Sequence, residues 1–372
     1  MAFNGKLALA VLGAAVAVSS TAGANDSKLT FTGDARLRTE RDMTYFGTTS
    51  ENLYTRTRFR LKADATVNDQ WNATARLSTG GNQYGSHFTN GSSAYGPRQA
   101  MTLDQAFLTY KAMDGMSLQL GKVPVSFWTA GNTVTAGVWN FDQSFEGLQM
   151  KWIGDSGAFK PYFTATYASL LENTTSADLT LFGAQLGTKW TSDDLSANFA
   201  IGSYNFNNIK GSTPVNNGHS GTTSYGNGRG NTLAGTAYKY EYAETAVDAE
   251  VTYNAAFAPV QAFGGYITNN EGDAKTGMFG GLKVGALKDV GSWHASATYK
   301  DFGADAFFAF YSEPSASMGG GSNFYGSEFQ LGYQAFTAVS LVFNYHNTYH
   351  YIPALGGRAP SDLYVFDVSA TF

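Results

Sequence analysis

Residues 53–67 read LYTRTRFRLKADATV, and the strict alternation in this stretch decides the fold. A period of two predicts a β-strand with two different faces. One face is apolar and consists of Phe59, Leu61, Ala63, Ala65 and Val67. The other face is charged and consists of Arg56, Arg58, Arg60, Lys62 and Asp64. Lipid excludes the charged face, because one Arg or Lys at mid-bilayer costs about 2–4 kcal/mol, and a dry core excludes it as well. The charged face must therefore meet water.

Residues 364–372, YVFDVSATF, repeat this alternation at the C-terminus. Every second side chain is apolar, in the series Tyr364, Phe366, Val368, Ala370 and Phe372. The intervening positions carry Asp367, Ser369 and Thr371. Such a strand needs a protein core or a lipid bilayer against its apolar face. The remaining sequence has to decide between the two.

The N-terminal sequence MAFNGKLALAVLGAAVAVSSTAGAND places Lys6 before an apolar run at 7–18 and small residues at 22–24. This order is typical of a secretory signal peptide with an A-x-A cleavage site. The apolar run, about twelve residues long, is too short to span a bilayer as a helix. We expect residues 1–24 to be a cleaved signal peptide and residues 25–372 to be exported, with an uncleaved anchor as the alternative.

Composition excludes several classes of protein. The formal net charge of −5 becomes about −6 without Lys6, and so mild a charge indicates no nucleic-acid partner. The chain has no Cys, which excludes disulfides and thiolate metal sites and fits a Gram-negative envelope protein. His346 and His350 are four residues apart, which on a strand separates them by about 13 Å, and no other His pair has convincing ligand spacing. We therefore expect neither a metal nor a cofactor.

Alternating segments recur along the whole chain, about sixteen in number, and no segment after the N-terminal run holds the roughly twenty apolar residues of a transmembrane helix. A membrane protein of this kind crosses as a closed barrel, and an even strand number places both chain ends on one side. The predicted fold is therefore an all-β, transmembrane antiparallel β-barrel. The predicted strands are 28–40, 53–67, 71–79, 102–111, 116–122, 146–154, 158–169, 178–190, 195–205, 244–254, 259–269, 276–287, 291–301, 323–335, 338–349 and 361–372.

The connections between these segments alternate in length. Five long connections are rich in Gly, Ser, Asn and Tyr, at 80–101, 123–145, 206–243, 302–322 and 350–360. Short periplasmic turns and long extracellular loops are typical of outer-membrane barrels. Aromatic residues at strand ends, such as Trp71 and Trp152, fit rings at the membrane interfaces, although rings that fill a protein core are the alternative.

Two pairs of segments carry a family resemblance. LQLGKVPVSFW (118–128) and FDQSFEGLQMKW (141–152) resemble general and phosphate-selective porins. The segments 281–308 and 323–350 are similar to the putative porin family of Gram-negative outer-membrane proteins. The resemblance implies a homotrimer in the outer membrane, in contact with lipopolysaccharide. It also implies that the barrel-assembly machinery recognises the terminal strand, with Tyr364, Phe366, Val368 and Phe372 as the assembly signal.

Cations in the first three predicted strands form one basic wall, because neighbouring strands are about 4.8 Å apart. Its members are Arg36, Arg38, Arg56, Arg58, Arg60, Lys62 and Arg76. We predict that this wall lines the pore and selects solutes electrostatically. The alternative is a ladder of ion pairs with Asp34, Asp64 and acids from the loops, which only satisfies the wall.

The connection 123–145 is the third on the outer rim, after 41–52 and 80–101, and the resemblance implies that it folds into the lumen and narrows it. Its candidate residues are Trp128, Trp139, Phe141 and Asp142, with Glu146 at the start of the next strand. Acids on such a loop, opposite a basic wall, would create a transverse field across the constriction. An exterior flap is the alternative.

These features predict a porin through which small hydrophilic solutes and ions diffuse passively. Two alternatives remain open, a barrel without transport that acts as an adhesin or receptor, and an outer-membrane phospholipase. No G-x-S-x-G sequence occurs in the chain, so we expect no enzyme.

Overall fold

The computed structural model describes residues 28–46, 48–80, 86–91, 98–131, 138–174, 176–214, 228–313, 321–352 and 357–372. The predicted signal peptide, residues 1–24, lies outside the described residues. Parts of the long connections 123–145 and 206–243 also lie outside them.

Sixteen strands of the described chain form one barrel. They are β1 (Leu29–Phe46), β2 (Thr48–Thr66), β3 (Trp71–Thr79), β4 (Met101–Met113), β5 (Met116–Pro124), β6 (Ser144–Ile153), β7 (Phe159–Leu171), β8 (Leu179–Thr191), β9 (Leu195–Asn207), β10 (Tyr242–Asn254), β11 (Pro259–Asn269), β12 (Thr276–Gly285), β13 (Trp293–Phe302), β14 (Phe324–Phe336), β15 (Val339–Ile352) and β16 (Gly357–Thr371). Each predicted segment overlaps one of these strands, and the predicted fold class is confirmed.

Each strand pairs antiparallel with its neighbours in sequence, and β16 pairs with β1 to close the barrel. The short piece Phe88–Thr89 extends the sheet beside β2. Helical structure within the described ranges is a 3-10 turn at Ala309–Tyr311. No helix in these ranges is long and apolar enough to cross a membrane.

Successive side chains along a strand point alternately to the outside of the barrel, where many are apolar, and to its interior, where many are polar. Leu37, Phe199 and Leu331 point outward and are about half exposed. Inward side chains such as Gln149 and Lys300 are polar and buried. A soluble protein has the opposite distribution, so the outer surface is suited to lipid.

The first two strands are longer than the sequence predicts. β1 and β2 run for 18 and 19 residues, whereas alternation predicts an end near residue 40 and a new start at 53. Above that level the hairpin carries Arg41 and Glu51, which form an ion pair of 2.9 Å and are both about half exposed. Where both faces of a hairpin are wet, the period-two signal disappears although the strands continue.

Phe372 contacts the first strand at the point where the first and last strands meet and close the barrel. Its backbone N–H donates to the Gly33 carbonyl at 3.0 Å, and the Gly33 N–H donates to the Phe372 carbonyl at 2.7 Å. The ring lies over Gly33, where an added Cβ would come within 2.5 Å of Cζ, and stacks on Phe59 at 5.8 Å between centroids. Gly33 thus provides the space that the terminal ring occupies.

Candidate pore constriction

The chain leaves β5 and turns into the barrel. Val123, Val125 and Phe127 are buried. The Trp128 N–H donates to Gln185 Oε1 at 2.7 Å, and Gln185 Nε2 donates back to the Trp128 carbonyl at 2.8 Å. The Phe127 ring packs on Tyr204 of β9 at 4.8 Å between centroids. Residues 125–128 therefore lie against the inner wall of β8 and β9.

The same segment continues onto β10, where two carboxylates accept its backbone N–H groups. Ala130 donates to Asp248 Oδ1 at 3.2 Å and Gly131 donates to Glu250 Oε2 at 3.0 Å. Gly131 has φ of +80° and faces the ring of Phe263. Only glycine combines that backbone conformation with so close a ring.

Residues 138–143 return to β6 through an aromatic cluster. The Trp139 ring contacts the rings of Phe127, Tyr204 and Phe206 at 5.2, 5.0 and 6.2 Å between centroids. The Asn140 N–H donates to the Tyr311 carbonyl at 2.6 Å. The connection is therefore part of a packed core, and it contacts a second connection, which contains Tyr311.

Two further connections fold inward and join this core. Asn231 Nδ2 donates to the carbonyls of Ala304 and Phe307 at 2.8 and 2.9 Å. Asp305 accepts from the Thr232 N–H at 2.9 Å. The Phe308 N–H donates to Glu244 of β10 at 2.7 Å. We call these segments together the inner plug, defined as residues 125–131, 138–143, 228–241 and 303–313.

Sequence reasoning missed the two further plug segments, because their length and Gly content resemble a solvated loop. The signal was nevertheless present at 302–311, FGADAFFAFY, where Phe307 and Phe308 follow one another in a predicted loop. Both rings are buried. An aromatic run inside a loop predicts a covered surface, because large rings contribute most when they are removed from water.

Opposite the plug, the wall of β1 and β2 carries a compact ion-pair network. Asp34 accepts from Arg58 Nε at 3.0 Å and from Arg60 Nε at 2.6 Å. Asp142 of the plug accepts from Arg58 Nη1 at 3.0 Å and from Arg60 Nη1 at 2.9 Å. Ser86 Oγ donates to Asp142 at 2.8 Å. Asp142 thus joins the plug to the wall.

Burial alone would raise the pKa of Asp142, but Arg58 and Arg60 outweigh it and hold that pKa well below its usual range. Burial, reinforced by the charges of Arg56 and Arg36, keeps the pKa of nearby His87 well below its ordinary value. At neutral pH the carboxylate is therefore charged and the imidazole is neutral.

The other predicted cations of the basic wall also have partners. Arg38 pairs with Asp367 at 2.7 Å and with Glu40 at 3.5 Å, and Arg56 pairs with Glu40 at 3.2 Å. Two further pairs, Lys62 with Asp64 at 2.8 Å and Arg76 with Asp104, complete the set. Six of the seven predicted cations are therefore ion-paired, with six carboxylates.

Arg36 is the seventh cation. It is half-buried on β1, and its cross-strand partner is another arginine, Arg58. Every Asp and Glu after residue 26 belongs to the described chain, and none of them forms an ion pair with Arg36. Asp142 and Asp367 act on it electrostatically. The wall therefore carries one surplus positive charge, located at Arg36.

The remaining predicted site residues occupy different positions. Trp128 and Phe141 are partly buried against the core of the plug. Glu146 lies in β6, in agreement with the predicted strand, where it alternates with the buried Phe145 and pairs with Lys122 at 3.5 Å. Its prediction as a constriction residue is corrected, because it shares the outward face with Leu148. The predicted terminal assembly residues lie on the outer side of the barrel, where Phe366 and Phe372 are exposed.

An apolar exterior, a charged interior and connections that fold inward define a porin-like barrel of the outer membrane. Residues 27–234, more than half of the chain, match the family described as "Putative porin", and the chain belongs to that family.

Solved structures of porins share the fold. OprB of Pseudomonas putida, in its high-pH structure, is 13% identical, with a TM-score of 0.59 over 92% of this chain and 94% of that one. OmpF of Salmonella typhi, in complex with daunomycin, is 11% identical, with a TM-score of 0.52 over 93% of this chain and 98% of that one. No curated protein matches the sequence.

Proposed function

We propose that the protein is a porin that admits small hydrophilic solutes and ions by passive diffusion. The observation that carries this proposal is the cluster of half-buried charges, Asp34, Arg36, Arg58, Arg60 and Asp142, between the inner plug and the wall of β1 and β2. Unlike the fully buried pair of Lys300 and Glu328, the paired charges of this cluster keep part of their side chains exposed inside the barrel, which requires water beside them. The passage therefore runs along this wall.

The connection 125–143 acts as the constriction in this proposal. It is held to the opposite inner wall by Asp248 and Glu250 and to the basic wall by Asp142. These contacts, together with the aromatic packing, favour a fixed narrowing over a mobile lid. Solutes are then sorted by size and by the charge that the wall presents.

Arg36 determines the sign of the selectivity, because the other cations of the basic wall are neutralised by partners. In a narrow passage a cation a few ångströms from the permeating ion acts within the Debye length of about 8 Å at physiological salt. We therefore propose a modest preference for anions, in spite of the net charge of −5 for the whole chain.

The proposal includes several features of the resembled porins. We propose that the protein is exported by a cleaved signal peptide and assembled through its terminal strand into a homotrimer in contact with lipopolysaccharide. We further propose that it carries out no catalysis and requires neither cofactor nor metal.

Single-channel recording in planar bilayers tests the proposal. The folded protein should give discrete conductance steps, and heat-modifiable migration on gels should show that the barrel is intact. A folded protein that never conducts would overturn the proposal. It would favour the second candidate, a receptor or adhesin barrel, whose supporting observation is that the inner plug fills the lumen beside β8 to β14.

A further inference from the structure

Four lysines line the inner wall at one mouth of the barrel. Each of them lies one or two residues from the end of a strand, on β4, β6, β7 or β8, in the order Lys111, Lys151, Lys160 and Lys189. These ends carry short turns, which face the periplasm in outer-membrane barrels. We call the four residues the lysine crescent.

The alternation within each strand turns the crescent toward the lumen. Lys160 lies on the same face of β7 as Thr164, and Lys189 lies on the same face of β8 as Gln185. Thr164 and Gln185 are buried inside the barrel. The other two lysines belong to the same inner surface, because one cross-strand row joins Lys111, Ser117, Lys151 and Thr164. All four side chains therefore face the lumen.

Two lysines of the crescent lie directly opposite each other. Lys160 and Lys189 are cross-strand partners, so their Cα atoms are about 4.5–5.5 Å apart. Like charges in this arrangement destabilise a sheet. No acid of the described residues forms an ion pair with any lysine of the crescent, although the adjoining turns carry Asp114, Asp155, Asp193 and Asp194. The crescent differs in this respect from the basic wall, where carboxylates pair with every cation except Arg36.

A neutral donor lies beside this lysine pair. Asn198 of β9 is the cross-strand partner of Lys189, and its Oδ1 accepts from the Tyr162 hydroxyl at 3.1 Å. The Tyr162 ring reaches it across Gly187, where an added Cβ would come within 2.3 Å of Cζ. Since the tyrosine occupies the amide oxygen, Asn198 offers its N–H groups to the lumen. The site thus combines two ammonium groups with an amide donor.

The acid next to this site is Glu250, which is the cross-strand partner of Asn198. Its carboxylate accepts the Gly131 N–H at 3.0 Å, and both Lys189 and Lys283 act on it electrostatically. One carboxylate is therefore set against two lysines, and Lys160 adds a further positive charge. The site keeps an excess of positive charge.

We infer that the lysine crescent binds a compact oxyanion with two negative charges, such as sulfate or a phosphate monoester. One such group bridges the ammonium groups of Lys160 and Lys189 and accepts from Asn198, and it removes the repulsion within the lysine pair. A singly charged anion compensates only one of the two lysines. The inference names a solute class for the proposed channel and rests on that function.

The crescent lies on the periplasmic side of the constriction. Gln185, which binds Trp128 of the inner plug, precedes Lys189 by four residues along β8, on the side away from the turn. That spacing corresponds to about 13 Å. A solute from outside therefore passes the constriction before it reaches the crescent. Arg36 acts on ions of any valence, whereas the crescent discriminates by valence at the exit.

Binding of methyl phosphate, measured by the broadening of its phosphorus NMR line, tests the inference on the folded protein in detergent. At about pH 8 the ester carries two charges, and the native protein should broaden the line. Sulfate should reverse the broadening, whereas acetate at the same ionic strength should reverse it far less. At about pH 5 the ester carries one charge, and the broadening should be weak although the lysines remain charged. Equal broadening at both pH values, or equal reversal by acetate, would overturn the inference.

Substitutions locate the site within the lumen. At about 4 Å, with a Debye length of about 10 Å in about 0.1 M salt, the loss of one ammonium group should weaken the binding of a divalent anion about tenfold and of a monovalent anion about threefold. Lys160→Gln and Lys189→Gln should therefore each lower the affinity for methyl phosphate about tenfold, and Lys160→Arg should retain it.

The matched control is Lys288→Gln, which removes the same charge from an exposed position in a periplasmic turn and should leave the affinity unchanged. Equal affinities of the native protein and Lys160→Gln would contradict the inference. The measurement needs no conductance. A protein that conducts but does not bind methyl phosphate would thus refute this site and leave the channel proposal standing.

Discussion

Arg36→Gln removes the one surplus charge of the basic wall and should shift ion selectivity toward cations. At about 5 Å from a permeating ion in water, a unit charge acts with about 0.8 kcal/mol. A Debye length of about 8 Å reduces this to about 0.4 kcal/mol at physiological salt. The charge of Arg36 lowers the energy of a permeating anion and raises that of a cation by the same amount. Its removal should therefore lower the anion-to-cation permeability ratio about fourfold.

Reversal potentials in a salt gradient measure this ratio. At about 1 M salt the Debye length falls to about 3 Å, and the same substitution should then change the ratio less than about twofold. Arg36→Lys should retain the selectivity of the native protein, because it keeps the charge.

The matched control removes a charge together with its partner. Lys62 and Asp64 form an isolated pair of 2.8 Å on β2, so Lys62→Gln with Asp64→Asn leaves the net charge of the wall unchanged. Selectivity should then stay within error of the native value. An equal shift in this control, or no shift for Arg36→Gln at low salt in a folded barrel, would refute the assignment of the surplus charge.

Three further predictions concern the plug and the seam. Asp142→Asn should strengthen anion preference in reversal-potential measurements. The pKa of Asp142 is held below its usual range, so the charged carboxylate stabilises the fold fully above about pH 4, and this stabilisation is lost only as the pH falls through the lowered pKa. Asp142 should therefore stay charged between pH 7 and pH 5. A selectivity of the native protein that changes in this pH range through Asp142 would contradict the prediction. Trp139→Ala removes a ring that is 2% exposed and should destabilise the plug by about 3–5 kcal/mol. The single-channel conductance should become larger and noisier. An unchanged conductance would place the ring outside the constriction. Deletion of Phe372 should lower the amount of the protein at the cell surface, measured by surface labelling, without lowering its export, measured in the periplasmic fraction. Normal surface levels would argue against a role of the ring in assembly.

The sequence predicts the strands well because lipid on one side and water on the other impose a strict period of two. Where this contrast is absent, the prediction fails. The extension of β1 and β2 beyond residue 40 carries Arg41 and Glu51, which are both about half exposed, and no apolar alternation marks it. The prediction also fails for the inner plug, because the plug packs against polar wall residues such as Glu244 and not against lipid.

The alternative of an ion-pair ladder anticipated Asp34, Asp64 and a loop acid as partners, but it did not anticipate the partners that are remote in sequence. Arg38 and Asp367 are separated by 329 residues and meet only at the closing seam. Glu146 shows a different limit. Its charge invited a position near the lumen, although the alternation of Phe145, Glu146 and Leu148 places it with the apolar residues.

The inner acids of β10 decide how the charges of the lumen should be counted. Glu244, Asp248 and Glu250 each accept a backbone N–H from the inner plug, so these carboxylates hold the plug in place on the side of the barrel opposite the basic wall. The net charge of −5 would predict cation preference, whereas the local excess at Arg36 predicts the opposite sign. The sign of the reversal potential in the native protein therefore distinguishes a selectivity set by the whole chain from one set by a single unpaired side chain.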